Sequence, residues 1–111
     1  MKKLFKNYDF EFDKNERKIL TAFCKKIITQ IPSQPGSEQY RKTFESITAK
    51  LNSSESIIKF TKDEKTKLLM NLKENVNFFE KEIKKSGFIK KWIYKSMHKQ
   101  YQNLIIKHFE E

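Results

Sequence analysis

The sequence predicts an all-α fold: a four-helix antiparallel bundle, to which residues 8–12 and 57–60 can add a short two-stranded β ribbon. Three observations carry that prediction. Four segments repeat their apolar residues at helical spacing. Two of them open on the spacing of a capping box. And 2 Gly and 2 Pro among 111 residues leave too few tight turns for a multi-strand sandwich or barrel. A chain of this length is one domain by default and can bury about two-thirds of its unfolded surface. Its 10 Phe, 4 Tyr and 1 Trp exclude a disordered basic tail.

Tyr8, Phe10 and Phe12 alternate with Asp9 and Glu11, the period of a half-buried strand. Asp13 and Glu16 stand in capping-box spacing and open the first helix. Its apolar residues Ile19, Leu20, Phe23, Cys24, Ile27, Ile28 and Ile31 cover about half the circumference, so it packs on more than one side. Pro32 ends it, because the residue before proline is pushed out of the α region. After a Pro-Gly linker, Ser37 is placed to cap a second helix with the narrow seam Tyr40, Phe44, Ile47 and Leu51. A helix-turn-helix motif needs a short turn between two short helices, whereas the linker from Pro32 to Gly36 joins longer ones.

Ile57 to Phe60 form the second strand candidate. Thr61 and Glu64 make a second capping box, and Leu68, Leu69, Leu72, Val76, Phe79 and Ile83 follow on one arc, with Met70 and Phe78 off it. Gly87 suits a left-handed position closing the third helix, with Phe88 set to touch Ile83. The fourth helix then runs from about Phe88 to about Phe109 with the apolar face Ile89, Ile93, Met97, Tyr101, Leu104 and Ile105. The stretch Phe10 to Arg17 lines up with Ile58 to Lys65. Two readings stay open: duplicated strand-helix-helix halves of about 7–54 and 55–109, or shared capping chemistry in two unrelated helices.

The chemistry-bearing residues are few. Cys24 is the only thiol, which excludes an intrachain disulfide and suits a reducing compartment. Lys25 and Lys26 could lower its pKa, but it shares the arc of Leu20 and Ile27, which reads as a buried small hydrophobe. His98 and His108 are ten residues apart and do not share a helix face as metal ligands would. Asp9, Glu11 and Asp13 would share one strand face. They could hold a divalent ion, or form a solvated edge pairing with Lys59. Two isolated glycines cannot build a phosphate-cradling loop. The expectation is a non-enzymatic protein without cofactor or metal.

The formal charge is +10, from 24 Lys and Arg against 14 Asp and Glu, and only Arg17 and Arg41 are arginine. Lysine is a hydrated point charge, whereas arginine supplies a planar fork of donors. From Lys84 to Lys107 there are seven Lys and no acid. Lys91, Lys95 and Lys99 stack at i, i+4 and i+8, Gln102 continues the line, and Phe88 and Trp92 border it. Such a stripe beside an aromatic can hold a phosphate backbone and stack a base. The competing reading is a solvated helix face inflated by Lys-rich composition. No apolar run approaches the length needed to span a bilayer, and Met1 to Lys3 lead into no apolar signal core, so the expected location is the cytoplasm.

The segment Ile58-Lys59-Phe60-Thr61-Lys62-Asp63-Glu64 with its following helix resembles the third-to-fourth helix region of small bacteriocin immunity proteins, which are basic, cytoplasmic four-helix bundles. The resemblance spans seven residues, and the spacing of the connecting helix differs. It stands as one example of a small helical protein that docks on another protein. Two function classes follow. The first is an interaction protein (regulator, inhibitor or immunity-type) with an unidentified protein partner, for which Met70 and Phe78 are the candidate contacts. The second is sequence-nonspecific nucleic-acid binding through Lys91, Trp92, Lys95, Lys99 and Gln102. Exposure of Trp92 beside the lysines favours the second, and exposure of Met70 and Phe78 the first.

Overall fold

A computed structural model describes residues 7–32, 34–85 and 87–109. In chain order the elements are β1 (Asn7–Phe10), α1 (Lys14–Gln30), α2 (Glu38–Leu51), β2 (Ile58–Thr61), α3 (Lys62–Lys85) and α4 (Phe88–Leu104), which continues into a π-helical turn, Ile105–Phe109. The class is all-α with a two-stranded ribbon. No helix among the described residues is long and apolar enough to cross a membrane. The chain divides into two compact units, Met1–Thr66 and Lys67–Glu111.

In the first unit β1 and β2 pair antiparallel, with Tyr8 opposite Phe60, Asp9 opposite Lys59 and Phe10 opposite Ile58. Alternation puts Ile58 and Phe60 inside and Lys59 and Thr61 outside. The ribbon is shorter than the sequence suggests: β1 stops at Phe10 because Asp13 is drawn into the start of α1. Phe12, beyond the strand, is still buried, with its ring stacked on Phe10 at 5.4 Å and tilted against Phe60 at 6.4 Å. The three rings form one buried aromatic cluster on the ribbon.

Both predicted capping boxes form. The Asp13 carboxylate accepts from the Glu16 N–H at 2.7 Å and Glu16 accepts from the Asp13 N–H at 2.9 Å. Thr61 and Glu64 repeat the exchange at 3.1 and 2.9 Å. Each such cap stabilises its helix by about 1 kcal/mol. Ser37 does occupy the position before α2, but its side chain makes no capping bond. The turn there is made by Gly36, whose φ of 93° lies where side chains are disfavoured.

α1 and α2 bury Leu20, Phe23, Cys24, Ile27, Phe44, Ile47 and Leu51, each large side chain contributing about 1.5–3 kcal/mol. Their ends are tied by the two arginines, which act reciprocally. Arg41 of α2 donates to the carbonyls of Ile28 and Ile31, at 3.2 and 2.9 Å, closing the end of α1. Arg17 of α1 donates to the carbonyls of Phe12, Leu51, Ser53, Glu55 and Ser56, closing the end of α2 and fixing the loop to β2. No basic residue stands in the last turn of α1, so Arg41 supplies the positive charge which that helix terminus favours.

In the same unit Glu64 is buried and gathers three donors. These are Lys50 Nζ at 2.6 Å, the Ser46 hydroxyl at 2.6 Å and the Thr61 N–H. Burial alone would push its carboxyl up, but those hydrogen bonds and the Lys50 charge outweigh burial and hold it below its ordinary value. Cys24 is fully buried, and burial pushes its thiol up to about 12 against the opposing hydrogen bond of Thr48. Lys25 and Lys26 are exposed and do not activate it. The thiol is a packing group, since attack requires the thiolate.

In the second unit α4 turns back along α3. Phe79 meets Tyr94 at 5.7 Å and Tyr101 at 5.9 Å, and Glu80 meets His98 at 3.2 Å. Two expectations are corrected here. Gly87 is not left-handed: with φ −70° and ψ 174° it is extended and begins α4 rather than ending α3. Ile93, expected in the core, is 45% exposed. The buried face of α4 is displaced toward its end, to Tyr101, Leu104 and Ile105, with Phe109 added by the π turn. The side chains of Phe88 and Ile89 lie outside the described residues, and so does the expected Phe88–Ile83 contact.

Candidate nucleic-acid interface

Trp92 is the most exposed large apolar side chain among the described residues, at 75%. Tryptophan is rarely left in water, because its rings carry a large apolar area. Its position follows from helix geometry. Tyr101 is nine residues on, about half a turn round α4, and is buried. Trp92 therefore points directly away from the core. Lys95 follows at i+3 and Lys99 at i+7, about 60° and 20° to one side of it, so the ring borders the lysine stripe.

Lys91, Lys95 and Lys99 are all exposed, as are Lys84, Lys85, Lys90 and Lys107. The eight residue steps from Lys91 to Lys99 advance about 12 Å along the axis. Among the described residues no ion pair holds Lys91, Lys95 or Lys99. The carboxylate that does reach α4 is Glu80, and it goes to His98, about a third of a turn away from Trp92. The lysine charges therefore remain available to an external anion.

Gln102 is half-buried and contributes less surface than expected. Asn103 is exposed and falls nearer the Trp92 line, eleven residues on. Centring the helical projection on Trp92 instead of Lys95 would have found it. Asp9, Glu11 and Asp13 are exposed, which fits a solvated edge beside Lys59. Asp9 sits opposite Lys59 in the ladder, and Asp13 is consumed by its cap. Among the described residues no group of three or more His, Cys, Asp or Glu is placed to hold a metal ion.

The candidate protein contacts are also on the surface: Met70 is 55% and Phe78 51% exposed. They are two turns apart on α3 with exposed Glu74 between them, and the Phe78 ring leans edge-on against Phe79 at 5.4 Å. Single exposed apolar residues of this kind are common on soluble proteins. Compared with known proteins, the chain matches no family model, no curated protein and no solved structure.

Proposed function

We propose that the protein is a non-enzymatic interaction protein whose α4 face binds single-stranded nucleic acid without sequence preference. The observation that carries this reading is Trp92, 75% exposed beside the exposed stripe of Lys91, Lys95 and Lys99. The lysines would neutralise phosphates and the indole would stack one base. Stacking tolerates any base, and lysine point charges lack the fork that reads base edges. A reducing cytoplasm is the compartment this reading implies.

Trp92 is the only tryptophan, so its fluorescence reports contact at the site directly. Titration with a single-stranded oligonucleotide should quench it. The α4 face should contribute about −2 to −3 to the slope of log affinity against log salt, as three or four phosphate contacts require. Trp92→Ala should weaken binding about tenfold while leaving most of the salt slope in place, because one stacked base is worth roughly 1–3 kcal/mol. A wild type that neither binds at low salt nor changes its fluorescence would end this reading.

A second reading rests on the exposure of Met70 and Phe78, apolar side chains that a protein partner would cover. It calls for a protein captured from host extract by the wild type and lost by Phe78→Ser. Equal capture by both would count against it.

A further inference from the structure

We infer that a second phosphate-binding surface lies on α1, at an open depression of about 560 Å³ lined by Lys14, Arg17, Lys18, Thr21, Lys25 and Asn52. It takes a further stretch of nucleic-acid backbone and rests on the function proposed above. Lys14, Lys18 and Lys25 recur at i, i+4 and i+11, within about 40° of one another around the helix. All three are exposed, and no carboxylate lines the depression. Asp13 and Glu16, which flank Lys14 and Arg17 in the chain, accept from each other's backbone N–H groups, and Glu55 offers Arg17 its backbone carbonyl.

Arg17 makes this more than a row of surface lysines. Its guanidinium is fixed by the carbonyls of Leu51, Ser53, Glu55 and Ser56, which also fixes the Asn52 wall. Carbonyl dipoles solvate a cation but do not cancel its charge. The depression therefore holds four formal positive charges, one of them immobile, with the Thr21 hydroxyl and Asn52 amide as neutral donors. A linear polyanion with acceptor oxygens at every unit is the ligand class that fits.

The test compares four full-length proteins by anisotropy with a labelled single-stranded oligonucleotide at 50 and 200 mM salt. They are the wild type, an α1 variant (Lys14→Gln, Lys18→Gln, Lys25→Gln), an α4 variant (Lys91→Gln, Lys95→Gln, Lys99→Gln) and a charge-matched control (Lys42→Gln, Lys62→Gln, Lys73→Gln). Circular dichroism checks that each is folded. The inference expects the α1 variant to lower the salt slope by about 2, so that the wild type loses about fifteen-fold more affinity than the variant between the two salts. The control should keep the wild-type slope. An α1 variant indistinguishable from wild type, or a control as impaired as the α1 variant, overturns the inference. If in either case the α4 variant is still impaired, the α4 reading stands. An impaired α1 variant beside an unaffected α4 variant supports the α1 surface and removes the α4 one. No binding by the wild type overturns both.

Discussion

Arg17→Lys lowers stability by about 2 kcal/mol and the melting temperature by about 8 °C, although it preserves the charge. The loss comes from geometry. One guanidinium spans the carbonyls of Phe12, Leu51, Ser53, Glu55 and Ser56 through three nitrogens. An ammonium has its donors on a single atom and cannot reach carbonyls so dispersed. Hydrogen bonds to charged groups are worth about 1.5–3 kcal/mol each when measured singly. Several of these bonds are exposed, and two are long at 3.4 Å, so the sum is well below the count. Thermal unfolding measures the total. Amide hydrogen exchange measures its place: Ser53 to Ile57 should exchange faster in the variant, while the interior of α1 should not. A variant as stable as wild type would show that the loop holds itself.

Glu64→Ala is the second large effect, a loss of about 2–3 kcal/mol at neutral pH. Removing one partner of a buried ion pair ordinarily costs about 3–5 kcal/mol. Here Lys50 is 35% exposed against 8% for Glu64, so the abandoned ammonium can reach water and the loss is smaller. The Ser46 hydroxyl and the Thr61 N–H lose their acceptor as well. Glu64→Gln keeps an acceptor for the cap and should lose only about half as much. The pH dependence has a definite sign. The folded carboxyl titrates below its ordinary value of 4.5, so the unfolded chain takes up the proton first. Its stabilisation is complete above about pH 5 and fades as pH falls through 4.5 toward the lowered folded value. Denaturant unfolding of wild type and Glu64→Gln at pH 7, 4 and 3 should show the gap closing. A gap independent of pH would mean that charge contributes nothing.

The helices and their starts were legible in the sequence because caps and apolar periodicity are local. Asp13 with Glu16, and Thr61 with Glu64, behave as their spacing says. Gly87 misled because glycine is permissive. It fits a left-handed helix end, but it equally fits the extended residue before a helix, and here the second use occurs. Ile93 misled because periodicity names a face without saying how far along the helix that face is covered. The roles of Arg17 and of the second function of Glu64 were not legible at all. Their partners lie 34 to 39 and 14 to 18 residues away, and no spacing rule reaches that far. Trp92 lay between these cases: its angle on α4 was readable, whereas its exposure depended on what α3 left uncovered.

The reciprocal arginine clamps have a chemical consequence for the outer charge. Arg17 and Arg41 are half-buried and engaged by backbone carbonyls at the ends of α1 and α2, so the fully exposed cations of the described residues are lysines. Amines can be acylated and guanidiniums of this kind cannot, and each acylation removes one charge. One of the half-buried lysines, Lys50, serves Glu64. In the proposed reading, acylation would weaken the hold of these lysines on a polyanion in graded steps, while the two arginines that close the helices keep their charge.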